Sequence, residues 1–333
     1  MSSGGVADFS TLAGNAMLII YLLQTVLPLA LIAWITLAPQ PSVIGFWVQA
    51  VSTGLGIIAL MLTGLLLFPP WWAPWAFGLL LIIAIVIALR RPALRTLKPQ
   101  GAVAWIVTIG FAAFAVFAAS QTRLAYSAAK MPAGAAIDIG SPVASGHYLI
   151  VNGGAGTVLN AHADALDQSN PAHQAFYGTA YGVDIVAIDP LGLRAEGLSP
   201  SDPRRYLIFG RPVVAPCAGT VIAAVDGLPD MRVPEQDDNH LAGNHVILRC
   251  GAVDVVLGHF HRGSVRVVPG EKLALGAAIA QVGNSGSSGE PHLHIHAQLP
   301  GTKATPFSGR PIPLRLDGKF MTRNERLLVP QAN

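Results

Sequence analysis

The residues best suited to chemistry in this chain lie in one short stretch, Glu290-Pro291-His292-Leu293-His294-Ile295-His296. In a strand, alternate residues share a face, so the three histidines would line up roughly 6–7 Å apart. Imidazole is both a common metal ligand and a proton carrier near neutral pH. One ring can hold an ion while its neighbour hydrogen-bonds the water or substrate beside it. Asp184 has a suitable type for the same chemistry. It interrupts the apolar run Tyr181-Gly182-Val183-Asp184-Ile185-Val186-Ala187-Ile188, where a carboxylate is costly to bury unless it is paired or metal-bound. An ion pair with an arginine is the plain alternative. His259 closes another apolar run, and residues 283–289, all Gly, Asn and Ser, are expected to form a flexible loop ahead of the histidine row.

The elements that would carry these groups divide sharply by composition. Residues 1–137 hold one acidic residue, Asp8, and no histidine, whereas all ten histidines lie from His147 onward. Four apolar stretches, about 17–37, 43–68, 71–89 and 102–119, approach or exceed the roughly 20 residues of helix that cross a bilayer. The expected fold class is a four-helix transmembrane region over 1–137, followed by a mainly antiparallel β domain over 141–325. Residues 1–10 lack the Lys or Arg of a signal peptide. The segment 90–98 holds four of the six Lys and Arg in residues 1–137, which places it in the cytoplasm, with the N-terminus and the β domain outside. Arg123 and Lys130 oppose this weakly. The spans contain no carboxylate, Lys or His to mark an ion pathway. They read as an anchor in membrane lipid and a packing surface for membrane protein partners. The net charge of +3 combines two unlike halves and gives no indication of nucleic-acid binding.

Beyond residue 141, short β-prone runs recur between Gly and Pro turns: 146–152, 181–188, 219–225, 243–249, 254–260 and 273–282. Residues 228–242 are polar and are expected to form a long hairpin loop beside a cleft. Cys217 and Cys250 flank the open end of one predicted hairpin. They form either a disulfide, which an exported location permits, or two buried thiols. No GxSxG, P-loop or GxGxxG motif gives a serine hydrolase or nucleotide-binding reading a start.

An ordered set of motifs resembles the M23 (lysostaphin/LytM-type) zinc metallopeptidases. It comprises Pro212-Val213-Val214-Ala215 with Gly219-Thr220-Val221, then Gly258-His259-Phe260, Gly283-Asn284-Ser285-Gly286, and Glu290-Pro291-His292-Leu293-His294. The resemblance covers about residues 145–300. It implies that His294 and Asp184 bind zinc (Zn2+) with a further histidine, while His259 and His292 act on the attacking water and the oxyanion. The family's first ligand stands in His-x-Gly-x-Asp, but here the matching position is Ala180. Some membrane-anchored relatives supply that histidine from an upstream Asn-x-His, which Asn160-Ala161-His162 resembles. His162 is favoured over His173 as that ligand, and a third alternative, that it is neither of the two, stays open. His296 shares the ligand face and is expected to orient a ligand or bind substrate. His147 is expected to be structural, His240 and His245 to lie at the surface, and His261 to border the cleft.

The resemblance therefore implies a zinc metalloendopeptidase of a bacterial inner membrane, its C-terminal domain facing the periplasm or exterior and cleaving peptide crosslinks of peptidoglycan. The alternative is a catalytically inactive domain that binds cell-wall peptides or regulates another hydrolase. Ala180 favours the alternative, and the retained His259, His292 and His294 favour the enzyme.

Overall fold

The computed structural model describes residues 9–90 and 96–331, with side-chain environments from residue 19 onward. Asp8 and two of the basic residues in the 90–98 segment, Arg91 and Arg95, lie outside the described residues. The chain divides into a helical unit, Asn15–Tyr126, and a unit from Ser127 onward.

Four helices lead: α1 Phe9–Leu37, α2 Val43–Thr63, α3 Ala73–Leu89 and α4 Gly101–Ala128. Ser42 caps α2 by accepting the amide hydrogen of Gly45, the usual use of a serine at that position. Among the described residues, three stretches are long and apolar enough to cross a membrane: Ile19–Leu37, Val43–Thr63 and Gly101–Ala128. The fourth helix, α3, has 17 residues. Its start and the end of α2 differ from expectation because Gly64 leaves helical geometry and Pro69-Pro70 cannot continue a helix. Conversely, α4 runs well past residue 119 and takes in Arg123, since no Gly or Pro interrupts the Ala-rich sequence before Pro132. Within this unit α1, α2 and α3 pack around Ile35, Phe46, Phe77 and Leu81. Ser52 also donates to the Phe111 carbonyl at 2.7 Å, which links α2 to α4.

The second unit is built from strands: β1 Ile137–Ile139, β2 Gly146–Asn152, β3 Val183–Ala187, β4 Pro212–Val214, β5 Gly219–Val225, β6 Asn244–Cys250 and β7 Val253–Phe260. These are followed by β8 Lys272–Leu273, β9 Ala278–Gln281, β10 Leu293–Gln298, β11 Pro311–Ile312, β12 Leu314–Leu316 and β13 Arg326–Val329. Nine of them form one antiparallel sheet in the order β13-β2-β3-β10-β7-β6-β5-β8, with β11 pairing the far end of β10. Two small sheets, β1 with β12 and β4 with β9, complete the unit. Within 273–282 the turn expected at Gly276 separates β8 from β9, and its φ of +81° suits glycine.

Alternation places Tyr148, Ile150, Val183, Ile185, Val255, Leu257, Leu293 and Ile295 in one core. The intervening side chains of β3 and β10, among them Asp184, His294 and His296, point to the opposite face. That face is also covered, because the turn Tyr177–Tyr181 packs on β10, and every residue of β10 is buried. Cys217 and Cys250 form a disulfide with Cα atoms 6.1 Å apart, at the open end of the β5–β6 pair.

Candidate metal centre

Strand register builds the centre. On β10, His294 stands opposite Asp184 of β3 on one side and Gly258 of β7 on the other, so His259 follows directly beside it. Directly opposed residues have Cβ atoms about 4.5–5.5 Å apart, close enough for side chains to share one small ligand. His162 arrives from outside the sheet, on a turn at Ala161–Leu166. Fully buried Asn160 holds that turn. Its side-chain NH2 donates to the carbonyls of Gly154 and Gly182, and its Oδ1 accepts from the His162 amide. Gly182 permits the approach: a Cβ there would lie 2.7 Å from His294 Cε1 and 3.2 Å from His162 Cδ2.

His162, Asp184 and His294 converge, each offering a ligand atom within 4.8 Å of the others. His162 Nε2 lies 2.9 and 3.1 Å from the two Asp184 oxygens, and His294 Nδ1 lies 2.8 Å from Oδ1. His292 Nε2 is farther from the carboxylate, at 3.7 Å. Asn152 donates to Asp184 Oδ2 at 2.8 Å, Asn152 Oδ1 in turn accepts from Arg323 at 3.1 Å, and the Arg323 charge acts on Asp184 as well. His173 is not part of the cluster. Its ring contacts the Asp167 carbonyl and the Asn170 side chain on a separate short helix, Pro171–Gln174. Ala180 is buried within the Tyr177–Tyr181 turn.

Burial would raise the Asp184 carboxyl, but the charges of His162 and His292 and the hydrogen bonds from His162 and His294 hold it well below its usual range. Burial pulls His162 down, and the Asp184 charge and hydrogen bond overcome it, leaving the imidazole raised. Deeper in, burial, then the charges of His292 and His294, push His259 well down. His294 is lowered chiefly by burial. His296 is held well down by burial and by the charges of His294 and His162.

His259 and His292 share one hydrogen-bonding arrangement. Nδ1 of His259 lies 2.8 Å from the Ser285 carbonyl, and Nδ1 of His292 lies 2.8 Å from the Glu290 carbonyl. A carbonyl only accepts, so each Nδ1 carries the proton and each Nε2 keeps a bare lone pair. The two rings lie 4.6 Å apart, centroid to centroid. His259 also has φ +64°, a strained conformation for a non-glycine residue, held by the hydrogen bond that its backbone N–H donates to the Ala242 carbonyl at 2.9 Å.

The 283–289 loop, expected to be flexible, is pinned. Asn284, Ser285 and Ser288 are fully buried, Ser285 Oγ donates to the Phe260 carbonyl, and the Asn284 amide donates to Asp230. The small residues serve close packing and polar satisfaction rather than freedom. The polar loop between β5 and β6 does border the cleft: Leu241 joins Phe176, Thr179 and Phe307 around a cavity of about 200 Å3 beside His259 and His294. His261 faces Asp230 at 2.5 Å and packs on Phe209. His245 is half-buried against Phe307.

The supporting groups Asn152 and Arg323 gave no chemical signal in the sequence. Their roles depend on a bulged β2–β3 pairing and on a segment far along the chain.

Residues 207–306 match the sequence model of the family described as Peptidase family M23. That segment contains His259, His292 and His294 and begins after His162 and Asp184. Among solved structures, the catalytic domain of lysostaphin from Staphylococcus simulans is 22% identical, with 38% of this chain and 71% of that one covered and a TM-score of 0.25. A putative peptidase M23 from Pseudomonas aeruginosa is 16% identical over 55% of this chain and 54% of its own, with a TM-score of 0.27. A zinc-containing peptidase from Vibrio cholerae is 18% identical over 35% of this chain and 46% of its own, with a TM-score of 0.23. The chain thus spans about half the length of the latter two. No curated protein matches it.

Proposed function

We propose, from the premise that residues 207–306 carry a peptidase family M23 domain, that this chain is a membrane-anchored zinc metalloendopeptidase cleaving peptide crosslinks of peptidoglycan. The observation that carries the reading is the convergence of His162 Nε2, an Asp184 oxygen and His294 Nδ1. Two nitrogens and a carboxylate form a three-donor set typical of a catalytic zinc, which keeps a further position open. The short contacts among these atoms are ones a cation would replace, displacing the protons that now bridge them.

Zinc held there would supply Lewis acidity towards a water molecule and the scissile carbonyl. The protein's own residues supply the rest. His259 and His292 offer bare Nε2 atoms, so either can take the proton of an attacking water, and the imidazolium so formed can steady the oxyanion or protonate the leaving amine. Asn152 and Arg323 hold Asp184 in place. Away from its histidines the cavity is lined by Phe176, Leu241, Ala242 and Phe307 with Thr179 and Ser287, which suits an uncharged substrate residue next to the scissile bond.

The further proposal of a multi-pass bacterial inner-membrane protein, its β unit outside, rests on the three long apolar helices, on α3 as a shorter fourth span, and on the basic 90–98 segment. At 17 residues α3 is about 26 Å long, against roughly 30 Å of hydrocarbon. A C-terminal alkaline phosphatase fusion, active only outside the cytoplasm, is expected to be active; an inactive, well-expressed fusion would reverse the orientation.

Purified full-length chain in detergent is expected to hold zinc and to hydrolyse crosslinked cell-wall peptides. His294→Ala should lose both, and His259→Ala should keep zinc while losing hydrolysis. A zinc-free wild type, or an active His294→Ala, would refute the assignment. Ala180 supports the alternative of an inactive, peptide-binding domain. Against it, His162 reaches the same carboxylate from the Asn160-held turn.

A further inference from the structure

β10 carries a third histidine that the steps above leave without a role. His296 is 1% exposed, and its Nδ1 lies 2.9 Å from His294 Nε2. A neutral imidazole has one protonated nitrogen and one bare one, so a bond between two rings couples their tautomers. For His294 to offer a bare Nδ1 beside Asp184, its proton must sit on Nε2. It then donates to His296 Nδ1, which must be bare, and the proton of His296 belongs on Nε2. The next side chain on the same strand face is Gln298, fully buried, whose NH2 donates to the Pro306 carbonyl at 2.6 Å and leaves Oε1 as an acceptor. His296 Nε2 and Gln298 Oε1 are both buried atoms without a hydrogen-bond partner, although such atoms usually find one.

We infer that His296 is a positioning residue, which with Gln298 forms a relay along one face of β10 that sets the His294 tautomer needed to bind a cation. In the present arrangement His294 Nδ1 faces Asp184 Oδ1 at 2.8 Å and carries the proton donated there. With a cation in place, both rings hold their protons on Nε2, and the two orphaned atoms become a donor and an acceptor on successive side chains of one strand face. The pair stays neutral throughout, and only the proton positions change. A ligand histidine fixed through its second nitrogen binds more tightly, since the wrong tautomer and ring orientation are excluded.

This inference rests on the zinc reading above, and its test separates the two. Zinc affinity of the full-length chain is measured by competition with a chromophoric chelator, without substrate, for wild type, His296→Leu and His296→Asn. Leucine keeps bulk but accepts no hydrogen bond, whereas the asparagine oxygen can stand near the position of Nδ1. Loss of the relay is expected to weaken zinc binding about 10- to 100-fold in His296→Leu, with most of the affinity restored in His296→Asn. Equal affinity in wild type and His296→Leu, or an asparagine variant as weak as leucine, would overturn the relay alone. A wild type that binds no zinc would overturn the functional reading and this inference with it.

Discussion

His292 and His294 are two residues apart, yet their Nδ1 atoms are held by different partners. Nδ1 of His292 is tied to a backbone carbonyl, while Nδ1 of His294 points at Asp184. The alternation of the row and the candidacy of Asp184 could be read from sequence, because both depend on local patterning. His162 was marked by resemblance, through Asn160. Asn152 and Arg323 were not legible, since an asparagine ending a strand and an arginine in a distant loop carry no sign of the carboxylate they support. At this scale Gly182 gives a sharp prediction. Gly182→Ala would place a methyl 2.7 Å from His294 Cε1 in a fully formed cluster, so the variant is expected to fold but to lose most of its zinc affinity. Zinc content equal to wild type would show that the histidines are not held as closely as described.

Among the elements, β10 and the loop before it do the positioning. Strand ends at 152, 225 and 260 are legible from Gly and Asn turn signals, and the structure ends strands there. The state of the 283–289 loop is not, because the same Gly and Ser content serves both mobile linkers and tightly packed turns. Only tertiary partners such as the Phe260 carbonyl decide which. Ser285 donates to that carbonyl and accepts from the Asn244 amide, while its own carbonyl holds His259. Ser285→Ala leaves the buried Asn244 amide without its acceptor, while the Phe260 carbonyl keeps the Asn244 side chain, and should cost roughly 1–3 kcal/mol of stability, with a larger drop in hydrolysis than in zinc content. An unchanged denaturation midpoint would argue against a pinned loop. The helix ends show the same limit: apolar length marked the stretches, while Gly64, Pro69 and Pro70 set where α2 stops and α3 begins.

For the molecule as a whole, the division at residue 127 separates an apolar unit from one that holds every histidine. The buried imidazoles make the ion-free β unit sensitive to acid. Burial holds His259 and His296 well below the ordinary value and lowers His294 and His245 in the same direction. These rings protonate first in the unfolded chain, so stability is lost as pH falls below about 6.5. His162 is raised and has the opposite sign: its contribution is present at low pH and is lost as pH rises through its folded value. Four lowered rings outweigh one raised ring. In chelator, the calorimetric midpoint of the β unit should therefore fall between pH 7 and pH 5, and a rise would contradict this balance. Restoring zinc should raise the midpoint at pH 7, because an ion bound only by the folded state stabilises it.

The central claim is that His162, and not His173, completes a zinc site with Asp184 and His294. Metal analysis of the purified full-length chain and two variants tests it most directly. The account predicts about one zinc per chain in wild type and in His173→Ala, and little or none in His162→Ala. Full zinc occupancy in His162→Ala, or its loss in His173→Ala, would contradict it.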